Sequence, residues 1–244
     1  MSRQAAENEN LAIYNSVYGG RNDLYVSGQY DLALKKYYIE TVRKFFGDTS
    51  GKPVLNLGAD AAGIFGTLCD IGNIGISLDI AFNKLSGNSQ VREASYVNAR
   101  AQDLPFADNS IHGVLAFDII EHLIPEDSEN MLEEVYRVLA PGQKVVLTTP
   151  NTDCLARRTR RVIDPYRTVS RPDHVNEMSH HHLTTLFKNK RFDNIRSHGV
   201  SILPGLQRLQ RYLPFEPIYI FDHDLAQNYP QLSAEVLFIA TKLK

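Results

Sequence analysis

Hydrophobic positions along this 244-residue chain fall into short runs separated by polar turns, in a repeating strand–helix rhythm. PVLNL, IGISLDI, SYVNA, SIHGVLAFD and KVVLTTP read as five buried strands, beginning at Pro53 and ending at Pro150. GIFGTLCDI and AFNKLSG fill the first two gaps as helix or turn. SENMLEEVYRVLA fills a later gap as a helix that Ser128 caps and Pro141-Gly142 ends. HHHLTTLFKNKRF reads as a further helix, DNIRSHGVSI as a sixth strand and SAEVLFIATK as the last. Upstream, Asp31 opens a helix to about Phe46, with Leu34, Tyr38, Val42 and Phe45 on one face. Strands that alternate with helices predict an α/β, Rossmann-like, mainly parallel sheet with crossover helices on both faces.

Such a sheet binds its ligand at the carboxyl ends of the strands, near the point where strand order reverses. Gly58 ends the first strand, where a missing Cβ allows a tight turn and close approach of a ligand. Asp79 ends the second, about 20 residues on, where a carboxylate can accept from two ribose hydroxyls. Ile80 follows it and offers an apolar face to a purine. Loop and acid together point to an adenosine-containing cofactor; a plain strand–turn–helix with a solvated Asp fits those two features equally well.

The next segments separate the two. ARAQDLPFADNSIHGVLAFDIIEHL (residues 99–123) and EEVYRVLAPGQKVVLTTPN (residues 133–151) resemble the class I S-adenosylmethionine-dependent methyltransferases. The likeness is to the small-molecule group that includes the ubiquinone and menaquinone C-methylases. DHVNEMSHHHLTTLF followed by RFDNI resembles that family's downstream helix and sixth strand. The resemblance implies a seven-stranded sheet, S-adenosylmethionine as cofactor and S-adenosylhomocysteine as product. It places Gly58, Ala59 and Asp60 against the methionine half, Asp79 on the ribose and Ile80 on adenine. Ala101 and Gln102 then border the adenine edge, and Phe117 with Asp118 lines the reacting centre. One or more of Tyr14, Tyr18 and Tyr25 would close over the site, the alternative for each being simple packing.

Four features depart from the family pattern. Asn56 stands for the strand-one acid, Arg100 for the acid before the adenine-edge alanine, and PGQ for PGG. The glycine-rich turn reads Gly58-Ala59-Asp60-Ala61-Ala62, where each Cβ in a left-handed position costs about 1 kcal/mol.

Methyl transfer to an oxygen or carbon acid benefits from a base, and two histidines are candidates: His174 in RPDHVNE and His122 in IIEHL. For His122 the preferred reading is a residue that caps or packs a helix, which leaves His174 as the better candidate for the base. The His180–His182 run reads as a helix start rather than a metal tract, and no metal is expected. Six arginines lie between Arg157 and Arg171, among them Arg161. They form either a solvated helix face or a receptor for an acidic or phosphate-bearing small-molecule acceptor.

Composition narrows the partners. A formal charge of −2 and the scarcity of aromatics among the arginines make nucleic acid unlikely as a target. Two cysteines, Cys69 and Cys154, form no metal or disulfide pattern and suit a reducing, cytoplasmic setting. No run reaches the roughly 20 apolar residues of a membrane span, and the polar start does not resemble a signal peptide. The expected organisation is one methyltransferase domain over residues 1–244: a helical cap at 1–50, a cofactor-binding core at 53–151, lid segments at 152–178 and 203–230, and a last strand at 233–243. The rivals are a methyltransferase-like protein that only binds, and an adenosyl-cofactor enzyme with non-methylating chemistry.

Overall fold

In the computed structural model, residues 42–58, 74–81, 94–163, 173–202 and 225–243 are described. Seven strands form one sheet in the order β3-β2-β1-β4-β5-β7-β6. They are β1 (Pro53–Leu57), β2 (Ile74–Asp79), β3 (Ala94–Asn98), β4 (Val114–Phe117), β5 (Lys144–Pro150), β6 (Phe192–Ser201) and β7 (Glu235–Lys242). The first five run parallel, while β7 lies antiparallel between β5 and β6. Strand order therefore reverses between β1 and β4, which puts the switch point at Gly58 and Phe117.

The near-continuous apolar runs of the central strands follow from burial on both faces. Leu55, Leu57, Ala116 and Leu147 point into one core, and Val54, Leu115 and Val146 into the other. The first core is covered by α1 (Pro125–Val138) and α3 (His180–Asn189). Met131, Leu132, Val135 and Val138 recur at helical spacing on the inner face of α1. In α3, Phe187 stacks on Phe238 with centroids 5.9 Å apart. Each such fully buried side chain contributes about 1.5–3 kcal/mol. The second core is covered by the helical residues 42–46, through Val42 and Phe46. Helices thus lie on both faces, as the strand–helix rhythm requires.

Some boundaries differ from those the sequence pattern suggests. Helix α1 begins at Pro125, three residues before Ser128, because proline is pre-organised for the first helical position. Ser128 is consequently not the cap: its hydroxyl bonds back to the carbonyls of Ile120, Leu123 and Ile124. Strand β4 starts at Val114, since Ile111 pairs instead with Leu139 after α1. Ser179 caps α3 by accepting from His182 N–H, so the histidine run is a helix start. A short helix, α2 (Leu155–Ile163), carries the first arginines. No helix among the described residues is long and apolar enough to cross a membrane.

Candidate active site

Three neighbouring strand exits lie side by side at the carboxyl end of the sheet. Gly58 adopts φ +84°, a left-handed conformation, and its N–H donates to Leu78 O at 2.8 Å. An added Cβ there would sit 3.8 Å from Ile119 Cδ1, so the β1 exit lies directly beside the β4 exit. Asp79 is buried at the end of β2, and its Oδ1 accepts from Ala81 N–H at 2.7 Å. The amide of Asn98, at the end of β3, donates to the carbonyls of Asp79 and Ile80 and braces that exit. Ile80 stays 51% exposed, an apolar side chain left in solvent beside a buried carboxylate. A Cβ-free turn, a buried acid and an exposed apolar neighbour suit an adenosyl group.

Ala101 is buried and Gln102 half-buried in the turn after β3. Arg100, where the family carries an acid, turns away to an ion pair with Asp127 at 3.8 Å. Asn56 is fully buried within β1, donating to Gly58 O at 3.0 Å and Ser77 Oγ at 3.3 Å, so it steadies the turn from inside. Ala59, Asp60, Tyr18 and Arg171 lie outside the described residues, as do most of segments 1–50 and 203–230.

Phe117 is half-buried at the end of β4, and Asp118 just beyond it holds φ +49°. Thr148 on β5 secures that conformation: Asp118 N–H donates to the Thr148 carbonyl at 3.1 Å, and the Thr148 hydroxyl donates to Asp118 Oδ1 at 3.0 Å. Backbone held this way at a strand exit is characteristic of functional positions. One turn of 3-10 helix, Ile120–His122, follows.

The segment around His174 is fastened over this turn. Asn176 N–H donates to Glu121 O at 3.0 Å, and the Asn176 side chain donates to Ser128 Oγ at 2.8 Å. The His122 ring bonds through Nδ1 to Asp173 O at 2.9 Å. The two candidate histidines therefore meet edge to face, with centroids 4.9 Å apart. Burial pushes His122 below the ordinary histidine value, aided by neighbouring His174 and opposed by the Asp173 carbonyl, so it favours the neutral ring.

His174 is oriented by a carboxylate that sequence reading did not single out. Its Nδ1 lies 2.7 Å from Glu177 Oε1. Arg157 grips the same carboxylate with both terminal nitrogens, the second at 2.8 Å. Burial would raise the Glu177 carboxyl, but the His174 and Arg157 hydrogen bonds prevail and hold it at about 2. The Arg157 guanidinium, expected to meet the acceptor, is thus engaged with Glu177. Arg161 falls in the last turns of α2, where side chains are not described.

Glu121 is the other residue not singled out. It is 1% exposed, and Oε2 accepts from the Thr149 hydroxyl at 3.1 Å. Oε1 has no hydrogen-bond partner among the described residues. Burial raises its carboxyl well above the ordinary range, and the charge of Asp118 adds to the rise. Glu121 immediately precedes His122 in EH and Glu177 follows His174 by three residues, so closeness in sequence to the two histidines is the signal that marks them. Asn151, at the end of the β5 run, secures the surroundings: its amide donates to Gln231 O and Ser233 O, and Oδ1 accepts from Asp153 and His180 N–H.

Residues 55–147, from β1 through β5, match the family described as "Methyltransferase domain". An O-methyltransferase of Aspergillus nomiae is 30% identical over 87 residues, which cover 33% of this chain and 38% of that protein. The match thus spans little more than a third of that curated relative. Among solved structures, a Burkholderia thailandensis 1,6-didemethyltoxoflavin-N1-methyltransferase superposes with TM-score 0.67 at 14% identity, covering 100% of this chain and 92% of that one. The (4+2)-cyclase SpnF superposes with TM-score 0.63, also at 14% identity, covering 98% and 96%. These two likenesses establish the fold, which is that of the class I methyltransferases.

Proposed function

We propose that this chain, whose residues 55–147 match the methyltransferase domain, is a class I S-adenosylmethionine-dependent methyltransferase that methylates an oxygen or carbon of a small acidic acceptor. The observation that carries the reading is the oriented pair of histidines at the β4 exit, next to the turn that suits the adenosyl group. The cofactor, S-adenosylmethionine, supplies an electrophilic methyl on a sulfonium whose departure leaves a neutral thioether. Gly58 and Asp79 would hold it, with Ile80, Ala101 and Gln102 around the adenosine and Phe117 toward the reacting centre.

The protein's own task is to align the acceptor and remove its proton. Positioning of this kind is worth up to about 7–11 kcal/mol in intramolecular reactions. With Nδ1–H directed at Glu177, His174 carries its lone pair on Nε2, the nitrogen that takes the proton. Glu177 is ionised at neutral pH and stabilises the imidazolium that forms, while Arg157 keeps the carboxylate in register. His122, favouring the neutral form beside it, adds no charge to oppose that step. The remaining arginines of the run, Arg161 and Arg171 among them, supply the preference for a carboxylate or phosphate on the acceptor. This reading assigns residues 152–178 and 203–230 to a lid over the cofactor core within one domain.

The test is calorimetric titration of ligand-free protein with S-adenosylmethionine and S-adenosylhomocysteine, beside Asp79→Ala. Micromolar binding that the variant loses is the expected result, followed by methyl incorporation into carboxylated or phosphorylated phenols and alcohols in a radiolabel screen. A folded protein that binds neither compound overturns the assignment. Binding without transfer to any acceptor would favour non-methylating chemistry on the same fold.

A further inference from the structure

Glu121, His122 and His174 present more than a base and its neighbours. One donor atom from each lies within 4.8 Å of the other two. We propose that these three side chains form a site for a divalent first-row transition-metal ion such as Zn2+. The inference rests on the reading above, because it gives the same acceptor-activating site a second way to work.

Three features carry it. The donor set is two imidazoles and one carboxylate, which suits Zn2+ or Fe2+ and not the all-oxygen preference of Mg2+ or Ca2+. Both rings are held from behind: His174 Nδ1 by the Glu177 carboxylate at 2.7 Å and His122 Nδ1 by the Asp173 carbonyl at 2.9 Å. Donation from Nδ1 places the lone pair of each ring on Nε2, the arrangement that metal-binding histidines adopt. Finally, Glu121 is buried, yet its Oε1 has no hydrogen-bond partner among the described residues. A buried carboxylate oxygen without a donor is costly, and a cation between it and the two rings removes that cost.

Tetrahedral bonds of about 2.0–2.2 Å set ligand atoms roughly 3.4 Å apart. A separation of 4.8 Å therefore closes by roughly 1.4 Å at most when an ion enters, within reach of side-chain rotation. Three protein ligands leave a position for water or for an acceptor oxygen, whose proton a metal ion makes easier to remove. The histidine run at the start of α3 is separate: His181 and His182 are exposed there.

The experiment uses the full chain, stripped with a chelator, titrated with Co2+ while visible ligand-field absorption and heat are recorded. Expected is one equivalent bound with a clear absorption band. Glu121→Gln and His174→Ala should each weaken it at least tenfold, and Glu177→Gln, behind the ring, by about 10–100-fold. The double variant His181→Ala/His182→Ala should bind as the parent does. Circular dichroism confirms that each variant is folded; if His174→Ala is not, the near-isosteric Glu121→Gln decides. No saturable Co2+ binding by folded protein, or binding that follows His181 and His182 instead, overturns the proposal. S-adenosylmethionine titration of the same stripped samples keeps the two ideas apart. Cofactor binding without Co2+ binding overturns only the metal site, and the converse overturns only the methyltransferase reading.

Discussion

Glu177→Gln tests the link between the architecture of the site and its chemistry. In the folded protein the carboxyl stands at about 2, against an ordinary value of 4.5. At 1.36 kcal/mol per pH unit, this difference stabilises the fold by about 3 kcal/mol at neutral pH. The Glu177 side chain is only 8% exposed, so solvent screening takes little from that figure. The folded value is the depressed one, so the contribution is complete above pH 4.5 and fades as pH falls toward 2. About 1.4 kcal/mol survives at pH 3. Glutamine keeps one acceptor but offers no charge to Arg157 or to the imidazole. The variant should lose roughly 2–3 kcal/mol at pH 7, or about 5–10 °C in melting temperature for a chain of this size. Thermal melts of both proteins at pH 7 and pH 3 are the assay, and the gap should narrow by about half at the lower pH. A gap of the same size at both pH values, or none at pH 7, would refute the reasoning.

Two glycine substitutions separate backbone strain from crowding. Gly58→Ala places its methyl in ordinary contact with Ile119, so the cost is the left-handed backbone alone, about 1–2 kcal/mol by denaturant titration. The shifted turn should also weaken S-adenosylmethionine binding at least tenfold; unchanged affinity would mean that the turn does not touch the cofactor. Gly199→Ala on β6 puts a Cβ 2.0 Å from Ser233 Oγ and 2.3 Å from the backbone carbonyl oxygen of Ala226. That carbonyl cannot rotate aside as a side chain would, so a loss of about 3 kcal/mol or more, read from the denaturant midpoint, is expected.

The strand–helix rhythm and the parallel core were legible in the chain because they depend on local spacing. Apolar runs bounded by turn residues mark strands wherever both faces are buried, and β1, β4 and β5 are of that kind. Gly58 and Asp79 could be singled out because a strand's last residue is identifiable from the strand itself. Local spacing also misled where two signals competed: Ser128 looked like a cap, but Pro125 begins the helix a turn earlier.

Tertiary structure alone decided which strand-end and loop residues meet. His122 and His174 stand about fifty positions apart, and no periodicity connects a turn after β4 with a loop before α3. Their contact follows from Asn176 bonding to Glu121 and Ser128, and from Asp173 receiving the His122 ring. Arg157 shows the same dependence. Its charge and its place in a basic run were plain in the sequence, while its engagement with Glu177 emerged only when α2 packed beside residues 173–178. Glu121 is the clearest instance, because only the fold buries its carboxyl and leaves one oxygen without a hydrogen-bond donor among the described residues. Sequence determines which groups a segment can present; desolvation and the pairing of distant segments determine what those groups become.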